Sequence, residues 1–189
     1  MPISRYVAGL RERVGNDMLM LPAAAAVVVD GAGRLLLGQR ADDGRWALPG
    51  GIVDPGEQPA EAVVREVYEE TGVHVAVERL AGVVLREAHY PNGDVCQYLV
   101  VWFRCRATGG TARVNDEESL AVGWYHLDDL PAGMDAFDRL RIDTALDDSA
   151  LPWFARPGQS YEWLPRPVPP VREGPRDSPD AGRATAPLR

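Results

Sequence analysis

The chain has 189 residues, 46% of them hydrophobic and 25% charged, with a mean hydropathy of -0.22. This is the composition of an ordinary globular domain with some length to spare, and it excludes fibrous and wholly disordered classes. The net charge of -8 excludes a general nucleic-acid binder, which needs a basic surface to meet phosphates. All twenty basic residues are arginine. Two cysteines, Cys96 and Cys105, are too few for a disulfide-stapled secreted scaffold, so a reducing, cytoplasmic setting fits best.

In chain order, Ile3, Tyr6, Val7, Leu10 and Val14 fall at helical spacing, with Ser4 as a cap and Gly15 as a stop. This amphipathic helix makes residues 1–17 an N-terminal extension. It is free to pack on its own domain or on a second copy, which leaves a homodimer open. The apolar run 18–29 is too short to cross a bilayer and follows the acids Glu12 and Asp17. It is read as a buried strand, with no role at a membrane. Runs 23–29 and 35–38 flank Asp30-Gly31-Ala32-Gly33, a turn suited to a hairpin.

A glycine pair follows, and then a helix of about thirteen residues between Pro59 and Gly72. Runs 73–85 and 97–105 read as strands on either side of Pro91-Asn92-Gly93-Asp94, another turn signal. Residues 123–127 read as a further strand and 135–146 as a closing helix. The fold class is therefore α/β, a mixed sheet covered by helices, with the main domain at 18–151. Nine of the sixteen prolines lie in 152–189, so that stretch is expected to be a loose tail. Without it the body carries fourteen arginines against twenty-four acids, a net -10. Trp153, Phe154, Tyr161 and Trp163 are suited to docking on the body or on a partner.

The helix between Pro59 and Gly72 carries the chemistry. At about 100° per residue, Ala60, Val63, Val64 and Val67 share one arc, whereas Glu66, Glu69 and Glu70 share another. Glu57 just before the helix adds a fourth carboxylate. Like charges three or four residues apart repel, and the helix dipole disfavours acids in the last turn. A solvated acidic face is one reading. The other is a cation site, since magnesium takes carboxylate oxygens together with waters and substrate phosphates.

Gly51, Glu57, Arg65-Glu66, Val67, Glu69-Glu70, Gly72 and Val73 stand at spacings that resemble the Nudix box. The approach Arg45-Trp46-Ala47-Leu48-Pro49-Gly50-Gly51 and the stretch Trp124 to Leu130 are similar to the same family, so the resemblance covers about residues 23–146. It implies a Nudix-type α/β/α sandwich that hydrolyses a phosphoanhydride in a nucleoside diphosphate linked to another moiety, with Mg2+ or Mn2+. By position, Glu66, Glu69 and Glu70 would be the main metal ligands and Glu57 would assist in the metal shell. Arg65 would orient a glutamate, and Gly51 and Gly56 would shape the loop before the helix.

The general base would be a box glutamate or an acid of the loop Asn115-Asp116-Glu117-Glu118-Ser119, with Glu118 as the candidate. Arg40 is suited to a phosphate or to solvent, and Trp46 to stacking on a base or to core packing. Tyr90 lies where the family's dinucleoside polyphosphate hydrolases carry a tyrosine, and no proline stands at 88 or 89, where its ADP-ribose enzymes commonly show one. The expected partner is a small nucleoside diphosphate derivative. A catalytically silent nucleotide sensor on the same fold is the alternative. Cys96, Cys105, His89 and His126 are read as core residues, without zinc-like spacing.

Overall fold

The structure is a computed structural model that describes residues 4–90, 92–149, 151–161 and 163. Eleven elements follow one another: α1 (Arg5–Val14), β1 (Leu19–Val29), β2 (Leu35–Arg40), β3 (Trp46–Ala47), β4 (Gly50–Ile52), α2 (Pro59–Thr71), β5 (Val73–His89), β6 (Val95–Gly110), β7 (Ser119–Tyr125), α3 (Ala136–Leu146) and β8 (Trp153–Phe154). The strands form one mixed sheet in the order β3-β2-β1-β6-β5-β8, with β4 paired to β1 and β7 to β2.

Strand β1 is central because it is apolar on both faces, as a strand covered on both sides must be. Ala24, Ala26 and Val28 point into a core with Ala62, Val63 and Val67 of α2. Ala25 and Val27 point to the other side, into a core with Trp102 and with Phe137, Ile142 and Ala145 of α3. The period of two therefore places one helix on each face, as the α/β/α expectation requires. Strands β5 and β6 form a long antiparallel hairpin, and β6 runs parallel to β1 from Leu19↔Cys96 to Val29↔Arg106.

The N-terminal helix packs on its own domain. Ser4 Oγ accepts from the Val7 amide at 3.3 Å, and Val7 sits against Leu21 and Cys96. Arg11 donates to Val95 O at 3.0 Å and pairs with Asp94 at 3.4 Å. Both cysteines are free and buried, as expected, whereas His89 and His126, read as core, are exposed, His89 at the end of β5 and His126 in the turn after β7. Among the described residues no helix is long and apolar enough to cross a membrane.

Two further expectations are corrected. The strand expected at 123–127 runs instead from Ser119 to Tyr125, because a turn closed by Asp129 N–H on His126 O at 3.0 Å takes over after it. Order also does not stop near Leu151. Trp153 and Phe154 form a strand parallel to β5, opposite Gly82 and Val83, and Trp153, Tyr161 and Trp163 contact one another and the body as rings. The aromatic surface of this strip compensates for the ordering entropy of its prolines. The rest of the expected tail, from residue 164 on, lies outside the described residues.

Trp102 is fully buried, and its indole N–H donates to Thr144 Oγ1 at 3.0 Å. Thr144→Val keeps the shape of the side chain but orphans that donor. A loss of about 1–3 kcal/mol, read by urea denaturation with an unchanged m-value, is the expected result.

Candidate active site

The site is assembled where β4 meets α2. Strand β4 pairs with Ala23, Ala24 and Ala25 of β1, which fixes Gly50 and Gly51 beneath the helix. A Cβ at Gly51 would stand 2.6 Å from Glu66 Cδ, so only glycine lets that carboxylate lie against the strand. Helix α2 starts on Pro59, with Gln58 N–H donating to Glu61 at 2.9 Å in the manner of a capping box. It stops at Gly72, whose φ of 69° is left-handed.

One guanidinium organises the acids of this helix. Arg65 donates to both Glu57 oxygens at 2.9 Å, to Glu66 Oε1 at 2.8 Å, to Glu69 Oε2 at 3.0 Å and to Ile52 O at 3.2 Å. The bidentate pair with Arg65 holds the Glu57 carboxyl below the usual carboxylate range, and the three glutamates together push Arg65 up, chiefly through Glu57. Glu69 is mostly exposed. Burial pushes Glu66 up against the pull of Arg65, and the charges of Glu69 and Glu118 add to the rise.

Glu70 sits differently. Among the described residues it receives only the Gly50 N–H, at 3.4 Å, and burial raises its pKa well above the ordinary value, with the charges of Glu66, Asp116 and Glu118 adding. The acidic loop reaches this point because Asn115 Nδ2 donates to Tyr68 O at 3.0 Å and to Glu69 O at 3.2 Å at the end of the helix, where Tyr68 O also accepts from the Gly72 N–H at 2.8 Å. Glu118 and Glu70 consequently line one small cavity of about 60 Å³ together with Arg40. Burial pushes Glu118 up as well.

A larger cleft of about 470 Å³ runs from Gly50 and Gly51 past Arg40, Trp46 and Tyr90. Its floor is low because β1 presents Ala23 and Ala25 there. Trp46 meets Tyr125 edge-on at 5.0 Å, so it is both a packing residue and a wall of the cleft. Tyr90 shares a hydrogen bond with Tyr98 between their hydroxyls at 2.8 Å. Arg40 is paired with Asp42, and with Asp43 at 3.6 Å, so its charge is already balanced. Glu117 is exposed and lines neither space.

The structure thus brings Glu66, Glu69, Glu70, Glu118, Arg65 and Arg40 into one neighbourhood and sets Trp46 and Tyr90 along the adjoining cleft. Glu57 lies at the edge, with both oxygens occupied by Arg65. Sequence reasoning missed Arg86, Phe137 and Arg141, which also line the cleft. Phe137 and Arg141 lie four residues apart on the buried face of α3, where the Arg141 charge is tolerated because Asp138 pairs with it.

Among the described residues no three acid, histidine or cysteine side chains converge into a ready-made metal cage, since Arg65 draws Glu57, Glu66 and Glu69 towards itself. The donor set nevertheless fits a hard divalent cation. Glu66 and Glu70 are oxygen donors whose pKa values burial raises, with the charges of Glu69 and Glu118 adding at Glu66 and those of Glu66, Asp116 and Glu118 at Glu70, and among the described residues Arg65 is the cation bonded to Glu66.

The NUDIX domain family model matches residues 20–145. The MutT-like protein of Streptomyces ambofaciens is 41% identical over 125 residues, covering 66% of this chain and 76% of its relative. An ADP-ribose pyrophosphatase of Methanocaldococcus jannaschii is 37% identical over 124 residues, covering 62% and 70%. Among solved structures, an ADP-ribose pyrophosphatase from Streptococcus suis superposes with a TM-score of 0.55 at 27% identity, covering 71% of this chain and 98% of that one.

The raised pKa of Glu70 sets a sign for stability. Between the unfolded carboxylate value of about 4.3 and the higher folded value, the folded state binds more protons than the unfolded one. Stability of the metal-free protein therefore falls as pH rises through that window. Glu70→Gln removes this contribution, so the variant unfolds at a higher temperature than the parent at pH 7 and the gap closes at pH 4, as measured by calorimetric melting in EDTA. The carboxylate helix, its arginine clamp and the matched sequence span together place this chain in the Nudix family of hydrolases.

Proposed function

We propose that this pyrophosphohydrolase requires Mg2+ or Mn2+ and cleaves a phosphoanhydride in a nucleoside diphosphate linked to another moiety. The observation that carries the reading is the Arg65 clamp, which gathers three box glutamates beside the cavity that Glu70 and Glu118 share. A body with a net charge of -10 has to neutralise a diphosphate locally, and these carboxylates are where cations fit.

Glu66, Glu69 and Glu70 hold the cations, with Glu57 at the outer edge of that shell through its grip on Arg65. Bound divalent ions supply polarised phosphoryl oxygens and a water of lowered pKa. Glu118 takes the proton of the attacking water; burial raises its pKa, which strengthens it as a base. Arg65 keeps Glu66 and Glu69 in one orientation by donating to both. Arg40 turns from its aspartates towards the substrate phosphates, and Trp46 and Tyr90 flank the nucleoside in the cleft.

The substrate is a free small molecule, which agrees with the acidic surface and with the cleft's size, and a cytoplasmic location suits the two free cysteines. Two of the three proteins named above are ADP-ribose pyrophosphatases, so ADP-ribose belongs in the first screen despite the missing proline before Tyr90, beside nucleotide sugars and dinucleoside polyphosphates.

Incubation of that panel with Mg2+ or Mn2+ is expected to release phosphate or a nucleoside monophosphate, and EDTA to abolish the release. Tight binding of a nucleotide without turnover across the panel would instead establish the silent sensor. Arg65→Met, which removes an orienting partner and no ligand, is expected to lower kcat/KM about 10–100-fold, and Glu69→Gln to lower it further. Full activity of Glu69→Gln at saturating metal would overturn the assignment.

A further inference from the structure

The part of the chain beyond the Nudix match reaches the cleft through one ring. The family match ends at residue 145, yet Trp163 packs on Phe137 with centroids 4.8 Å apart. Phe137 in turn lies beneath two guanidinium groups, with Arg86 Cζ 5.0 Å and Arg141 Cζ 4.4 Å from its centroid. All three of these residues line the cleft. Arg86 is also bonded to Asp135 at 2.9 Å and Arg141 to Asp138, while the buried Nε of Arg141 has no hydrogen-bond partner among the described residues.

The pairing defines what this end of the cleft suits. Each guanidinium is balanced by a carboxylate, so the pairs offer donors and acceptors with no net charge. Arg40 is balanced by Asp42 and Asp43 as well, but it stands in the small cavity with Glu70 and Glu118, where cations and phosphates meet, whereas Arg86 and Arg141 line only the larger cleft. An uncharged group bearing both donors and acceptors, a nucleobase or a sugar, is complementary to them.

The ring is held from two sides. Trp102 meets Phe137 edge-on at 6.1 Å from within the core, and Trp163 backs it from the C-terminal strip. Trp163 is itself fixed by stacking on Tyr161 at 4.9 Å and by Trp153 at 6.0 Å, and Trp153 is anchored by its pairing with β5. Without Trp163 one side of Phe137 loses its contact, and the ring can tilt under the arginines that lie over it.

We propose that Trp163 is a positioning residue for the substrate cleft: it fixes the Phe137 ring, and through it Arg86 and Arg141, for binding the uncharged end of a nucleotide. The claim rests on the hydrolase reading for the identity of the ligand, but the relay from Trp163 to the two arginines is a property of the fold alone.

The test compares the full-length parent with Trp163→Ala and Trp163→Phe. The first readout is the pair of Arg86 and Arg141 Nε–Hε resonances by NMR, with and without AMP as the probe. The second is steady-state hydrolysis of ADP-ribose with Mg2+. Trp163→Ala is expected to shift both resonances in the free protein, to weaken their response to AMP, and to raise KM about fivefold or more with kcat within about twofold, the signature of lost uniform binding. Trp163→Phe restores both readouts, which a nonspecific loss of stability would not.

Unmoved arginine resonances in Trp163→Ala, or a fall in kcat at constant KM, would overturn the proposal. If the parent does not hydrolyse ADP-ribose, that substrate fails, while the resonances of the free protein still decide the relay. Should Trp163→Ala not fold, Trp163→Leu takes its place with the same readouts and the same criteria.

Discussion

Carboxylates crowded on one short helix repel, and the rest of the site follows from how this chain contains that repulsion. Glu66, Glu69 and Glu70 stand in the last two turns of α2, at the end where the helix dipole is already negative. A single guanidinium, Arg65, offsets three acids by spending its donors on Glu57, Glu66 and Glu69 at once. Glu70 lies outside its reach, and burial beside Glu66 raises its pKa. Such an arrangement destabilises the metal-free protein and makes physical sense where cations arrive with an anionic substrate.

The fold's contribution is to bring this helix against a strand with nothing in between. Gly51 admits Glu66 because it has no Cβ, and the pairing of β4 with the alanines of β1 keeps Gly51 in place. The same alanines serve the opposite face. Ala23 and Ala25 leave the sheet low beneath the cleft, so one run of small residues permits both close packing under the acids and room for a ligand. Asn115 completes the arrangement by tying the acidic loop to the Tyr68 and Glu69 carbonyls at the end of α2, which carries Glu118 to Glu70.

Helix α2, its caps and its acidic face were legible in the sequence because they depend on residues three and four apart. The two-faced burial of β1 was legible in its unbroken apolar run. The meeting of Glu118 with Glu70 required a contact between Asn115 and Tyr68, 47 residues apart in the chain, which no local pattern reveals. The short strands β3 and β4 carry too few residues for a period to show. The strip from Trp153 to Trp163 misled through its prolines: composition argued for looseness, whereas its aromatic rings found Trp102 and Phe137. Arg141 was hidden for the opposite reason, since the apolar stripe of α3 marks the position as core and only the assembled cleft gives its charge a use.

The central claim is that the glutamates of α2 exist to grip divalent cations. Isothermal titration of the purified protein with MgCl2 and with MnCl2, in the absence and presence of a nucleoside diphosphate, tests it most directly. The account predicts saturable uptake that strengthens when the nucleotide is present and is lost in Glu66→Gln. No heat of binding under either condition, from protein shown to be folded, would contradict it.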